Sequence, residues 1–156
     1  MARRGRAALV LGLAALVMSA CGGDDGVSRE EYAKRVDKVC NDAERQLKSL
    51  DIRSARTPAE VAALLDDVIA ASRGAIDRLK AVERPSGDAG QAADRFVATL
   101  RREFEKDALP ALDTLKSAIR RGDRAAAADA AKRLNELENA KSDRFARQLG
   151  AHSCAA

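Results

Sequence analysis

The chain has 156 residues, of which 46% are hydrophobic, 33% charged and only 3% aromatic, with a formal net charge of +4. Three of its 28 cations are Arg3, Arg4 and Arg6, and from residue 21 onward 25 basic residues stand against 24 acidic ones, a formal +1. That remaining length suits one domain, and its near-neutral balance lacks the strong basic field of a nucleic-acid binder, so no nucleic-acid partner is expected.

Arg3, Arg4 and Arg6 precede an apolar run of 12 residues, Ala7 to Met18, which ends in Ser19 and Ala20 before Cys21. A basic start, a short apolar core and a small-residue end make a secretory signal peptide. The run falls short of the about 20 apolar residues that a membrane span needs. Met18-Ser19-Ala20-Cys21 resembles the lipobox of bacterial lipoproteins, with Met where that family prefers Leu. The resemblance covers residues 1–21. It implies that the chain is cut before Cys21, that the Cys21 sulfur carries a diacylglyceryl group, and that the protein is held at the outer face of the cell membrane. Two acyl chains suffice for stable attachment where one does not. Residues 21–27 then form the lipidated cysteine and a short flexible tether rich in Gly and Asp, and residues 28–156 the folded domain.

The first helix is expected to start at Ser28, with Glu31 completing a capping box. Tyr32, Val36, Val39, Ala43, Leu47 and Leu50 step by three or four along one face, and Cys40 borders that stripe. Thr57-Pro58-Ala59-Glu60 opens the second helix as cap, first-turn proline and box. Val61, Leu65, Val68, Ser72, Ile76 and Leu79 form its stripe, Pro85 stops it, and residues 85–90 read as a turn. A third helix is expected near Asp88 with Gln91 in the reciprocal capping position. Its stripe runs from Ala93 and Phe96 through Leu100, Phe104, Ala108 and Leu112 to Ile119. The periodicity passes Pro110 unbroken, so the proline predicts a kink in one long helix, a true break near residues 108–110 being the alternative. Arg120-Arg121-Gly122-Asp123 combines a cationic helix end, a terminating glycine and the next cap. The fourth helix is then expected to run to Leu149, with Gly150 ending it before the tail that holds His152 and Cys154.

Four amphipathic helices with short connections predict an all-α, antiparallel up-down-up-down four-helix bundle. Cys40 and Cys154 are the even remainder once Cys21 takes lipid. In an exported protein they suggest one disulfide, two unpaired thiols being the alternative. The bond requires the tail to fold back along the first helix, or the fourth helix to end early. The layout of Val39-Cys40-Asn41 early and Leu149-Gly150 through Cys154 late resembles small, uncharacterised helical lipoproteins of high-GC Gram-positive bacteria. That resemblance implies no known activity.

A lone histidine, His152, in a tail leaves little material for nucleophilic or metal chemistry, so no enzyme activity, metal or cofactor is expected. The two connections farthest from the lipid carry Arg53, Arg56, Arg120, Arg121 and Arg124 against Asp51 and Asp123. Arginine suits carboxylate and phosphate by bidentate bonding. These five are therefore candidate binding residues for an anionic envelope polymer or an acidic protein partner. The expected function is a non-enzymatic, lipid-anchored binding or envelope-interaction module. The alternative is a carrier or sensor of a small apolar ligand among Tyr32, Phe96, Phe104 and Phe145, which otherwise serve as core.

Overall fold

The computed structural model describes residues 26–51, 54–137 and 140–155. The expected signal peptide, Cys21 with its lipid, and Arg53 lie outside the described residues. Six α-helices follow one another: α1 Arg29–Ser49, α2 Pro58–Ala81, α3 Gly87–Glu103, α4 Leu109–Arg121, α5 Arg124–Asn135 and α6 Ala140–Leu149. A π turn, Phe104–Ala108, joins α3 to α4, and a 3-10 turn, His152–Cys154, follows α6. There is no strand among the described residues.

Local chemistry sets most of the helix ends. The Ser28 hydroxyl accepts from the Glu31 N–H, but the Glu31 carboxylate pairs with Arg35, so half of the expected box forms. At Thr57 both halves form. The second helix stops at Ala81, short of Pro85. Arg84 folds back there, donating to the Leu79 carbonyl at 3.1 Å and pairing with Asp94 at 3.0 Å. The third helix starts one residue before Asp88, close to its expected start, so that the turn expected over residues 85–90 is shorter. Gly87 takes a left-handed φ of 62° and α3 begins there, under a Ser86 cap without a side-chain bond. Gly90 belongs to that first turn and is packed so closely that a Cβ would lie 2.3 Å from the Pro85 carbonyl oxygen.

The helical conformation runs unbroken from α3 into α4, and Glu103, Phe104, Ala108 and Leu109 all have right-handed helical dihedrals. The irregularity is the π turn just before Pro110, where the Leu109 N–H reaches the Phe104 carbonyl. A proline clashes with the carbonyl four residues back and offers no N–H. A widened turn accommodates both defects and re-registers the helix faces by about one residue. That re-registration is the physical reason for a second correction: the expected fourth helix, 124–149, is two helices. α5 packs against α4 and α6 against α3, on either side of a partner whose faces no longer line up. α5 ends at Asn135, with Glu136 capping it.

The core has two parts. Tyr32 and Val36 of α1, Leu79 of α2, Phe96 of α3 and Leu149 of α6 form one cluster. Leu65 and Ile69 of α2 and Leu112 of α4 form the other, with Phe104 and Leu134 packed on it. Cys40 and Cys154 are disulfide-bonded, with Cα atoms 5.4 Å apart. The tail does fold back along α1. The Ser153 N–H donates to Asp37 at 2.7 Å, and the Asn41 amide donates to the Ser153 hydroxyl at 3.1 Å.

Candidate binding surfaces

The arginines expected at the far end are only partly available. Arg120 reaches Asp66 of α2 at 3.5 Å, beside Lys116, which bonds the same carboxylate at 2.7 Å. Lys116 above all, and Arg120 less, hold the Asp66 carboxyl below its usual value. Only the Arg56 backbone N–H is engaged, bonded to the Glu60 carboxylate at 2.6 Å as part of the α2 cap, while its side chain is exposed. Arg121 and Arg124 remain exposed on either side of Gly122, whose φ of 70° turns the chain into the Asp123 cap of α5. Asp66, which takes Arg120, sits on another helix and was not among the residues expected there.

An apolar groove lies between α1, α2 and the α3–π segment. Leu47, Ala75, Ile76, Leu100, Phe104 and Ala108 line it, the Cys40–Cys154 bridge borders it, and its volume is 370 Å³. It stays open because the side of α1 that faces the later helices is met by α6 and the 3-10 turn, while α5 is drawn away onto α4. Leu47, Leu100 and Phe104 are consequently only half-buried. Of the aromatic residues, Tyr32 and Phe96 are fully buried core, whereas Phe104 borders the groove.

Phe145 borders a different feature. A cleft of 350 Å³ between α3 and α6 is lined by Arg95, Thr99 and Arg102 from one helix and Lys141, Arg144 and Phe145 from the other. No acidic residue contributes to its lining. Sequence reading passed over these four cations because it looked for charge in loops. The signal was present nonetheless. Most paired cations of this chain have an acid three or four residues away, as in Glu30–Lys34, Lys38–Asp42, Glu44–Lys48 and Arg101–Glu105. Around Arg95 the corresponding positions are Gln91, Ala92, Ala98 and Thr99, and around Arg144 they are Ala140, Lys141, Arg147 and Gln148, whereas Arg102 and Lys141 each have a glutamate three residues away in sequence, Glu105 and Glu138.

His152 is exposed in the tail. Among the described residues no group of three or more His, Cys, Asp or Glu could hold a metal ion, and no helix is long and apolar enough to cross a membrane. No family model, curated protein or solved structure matches this chain.

Proposed function

We propose that this protein is a lipid-anchored, extracytoplasmic binding module without catalytic chemistry, and that the groove beside the Cys40–Cys154 bridge is the seat of a small apolar ligand. On this reading the six α-helices form four antiparallel rods, with α3 through α4 as the third and α5 with α6 as the fourth. The disulfide keeps the first rod in place while one seam of the frame stays open. The observation that carries the proposal is the partly exposed apolar lining of Leu47, Leu100 and Phe104, over a floor that includes the buried Ile76. Half-exposed leucine and phenylalanine side chains in one concave patch are left in water unless something covers them. The volume of 370 Å³ falls in the range of small-molecule pockets. A second reading, contact with an anionic envelope polymer or acidic protein, is favoured by the exposed Arg121 and Arg124 at the Gly122 turn.

The test is intact mass of the protein extracted from its native envelope, native and then denatured without reduction, joined to a titration with the neutral apolar dye Nile red. Expected are acyl mass on a chain that begins at Cys21, saturable dye binding, and a loss of about tenfold in dye affinity for Leu47→Gln. Unlipidated protein would remove the anchor. Dye binding indifferent to Leu47 would remove the groove as the seat.

A further inference from the structure

We infer that the cleft between α3 and α6 is a binding site for a multiply charged oxyanion of the phosphate class. Arg95 and Arg102 stand seven residues apart on α3, and Lys141 and Arg144 three apart on α6, so each pair presents to the same side of its helix. All four line one 350 Å³ cleft, and none has an ion-pair partner among the described residues. Two of the nearby acids are committed elsewhere. Asp94 pairs with Arg84, and Glu105 with Arg101. Glu103 and Asp143 are largely buried and do not line the cleft.

Such an arrangement opposes folding. Like charges held close to one another repel, and because all four side chains are exposed, salt screens that repulsion. α1, by contrast, pairs most of its charges within the helix and carries acids in its first turn, whereas at the cleft four cations converge on a lining that no acid enters. A local rule broken without internal compensation marks a functional position, and the missing compensation here is negative charge.

The kind of anion follows from the donors. Guanidinium forks match the oxygens of phosphate two at a time, while the lysine supplies a compact point charge. The Thr99 hydroxyl, on a residue 6% exposed at the cleft wall, adds a neutral donor. The half-buried Phe145 ring excludes water from one side. One monocarboxylate would leave most of four positive charges unanswered, whereas a phosphomonoester or pyrophosphate group answers two or more. The site stands independently of the lipid on Cys21 and of the apolar groove.

The experiment is calorimetric titration of inorganic pyrophosphate into the protein in neutral detergent micelles, for the native chain and for Arg95→Gln/Arg144→Gln. An Arg73→Gln/Arg78→Gln protein, which removes two exposed cations of α2, is the control. Expected is saturable binding that weakens with salt and drops about tenfold or more in the cleft variant, with the control unchanged. The cleft variant should also be at least as heat-stable as the native chain, because it relieves repulsion. Arg95→Lys/Arg144→Lys should recover part of the affinity. Repeating the titration in micelles doped with phosphatidylglycerol separates the sources. Competition identifies a lipid headgroup, and its absence a soluble phosphate. The inference is overturned by no saturable binding, by equal loss in the control, or by a cleft variant that is less stable than the native chain, since that outcome would mean the cations are already paired within the fold.

Discussion

Tyr32 is fully buried, and its phenol oxygen has no hydrogen-bond partner among the described residues. The Arg84 guanidinium lies over the ring, 5.7 Å from its centre. Burial pushes the phenol above its usual value of 10.0, outweighing the opposing pull of the Arg84 charge. The fold therefore favours the neutral phenol. Its contribution is complete below about pH 10, the ordinary tyrosine value, and is lost as pH rises through the raised one. Tyr32→Phe deletes a hydroxyl that nothing satisfies while keeping the ring beneath Arg84. Removal of an unsatisfied buried group is neutral or favourable, by up to about 1–2 kcal/mol. Thermal unfolding between neutral and alkaline pH should show an equal or higher midpoint for the variant and a shallower alkaline decline. A clearly lower midpoint at neutral pH would mean that the hydroxyl has found a partner. At the acid end the sign reverses. The Asp66 carboxylate, held low first by Lys116, contributes while pH stays above its unfolded value and stops contributing as pH falls through the lowered one. Asp66 is exposed and Lys116 half-buried, so salt screens that pair in part.

At the scale of the helix, two glycines make opposite forecasts. Gly74 lies inside α2, and a Cβ placed there meets nothing within 4 Å. Gly74→Ala should therefore stabilise by about 0.5–1 kcal/mol through helix propensity alone. Gly90 sits in the first turn of α3, where a Cβ would lie 2.3 Å from a backbone oxygen of Pro85. Gly90→Ala must shift that turn, at a cost of about 1–3 kcal/mol. Denaturant midpoints of the two variants should move apart, and movement in the same direction would contradict the packing at Pro85. The same pair shows what the sequence could and could not reveal. Ser28, Thr57, Asp123, Gly122 and Gly150 were readable because a cap or a left-handed turn is chemistry within a few residues. "PSGDAG" read as a turn from its composition, yet Gly87 supplies the positive φ that opens α3 and Gly90 the close approach that lets it begin early. The division of α5 from α6 was not readable, since no Pro or Gly marks residues 136–139. Its cause is a π turn some 30 residues away in the partner helix. The candidate site followed the same divide. Arginines at loop ends were visible, but Asp66, which takes Arg120, lies 54 positions from it.

For the whole molecule, the disulfide and the groove are two sides of one problem of closure. The π turn draws α5 and α6 apart, so α1 meets the later helices mainly through α6 and the 3-10 turn. The covalent link from Cys40 to Cys154 spans a sequence separation of 114 and compensates for that thin contact. In the chain-entropy account a loop of this size is worth about 4–5 kcal/mol, a large share of the roughly 5–15 kcal/mol that a small domain holds. The helices α2 through α5 pack without crossing the bridge, so its removal should not be felt evenly. Cys40→Ser/Cys154→Ser should lower the unfolding free energy by about that amount. Amide exchange should accelerate first in the C-terminal half of α1 and the tail, and last in α2 and α4. The groove should respond too, because the bridge forms its border. Nile red affinity in the double variant should fall while dye still binds the Arg121→Gln/Arg124→Gln protein normally. Uniform acceleration of exchange across all six helices would show instead that the bridge stabilises a single cooperative unit. The open seam would then be a surface that the fold holds rigid without help from the tail.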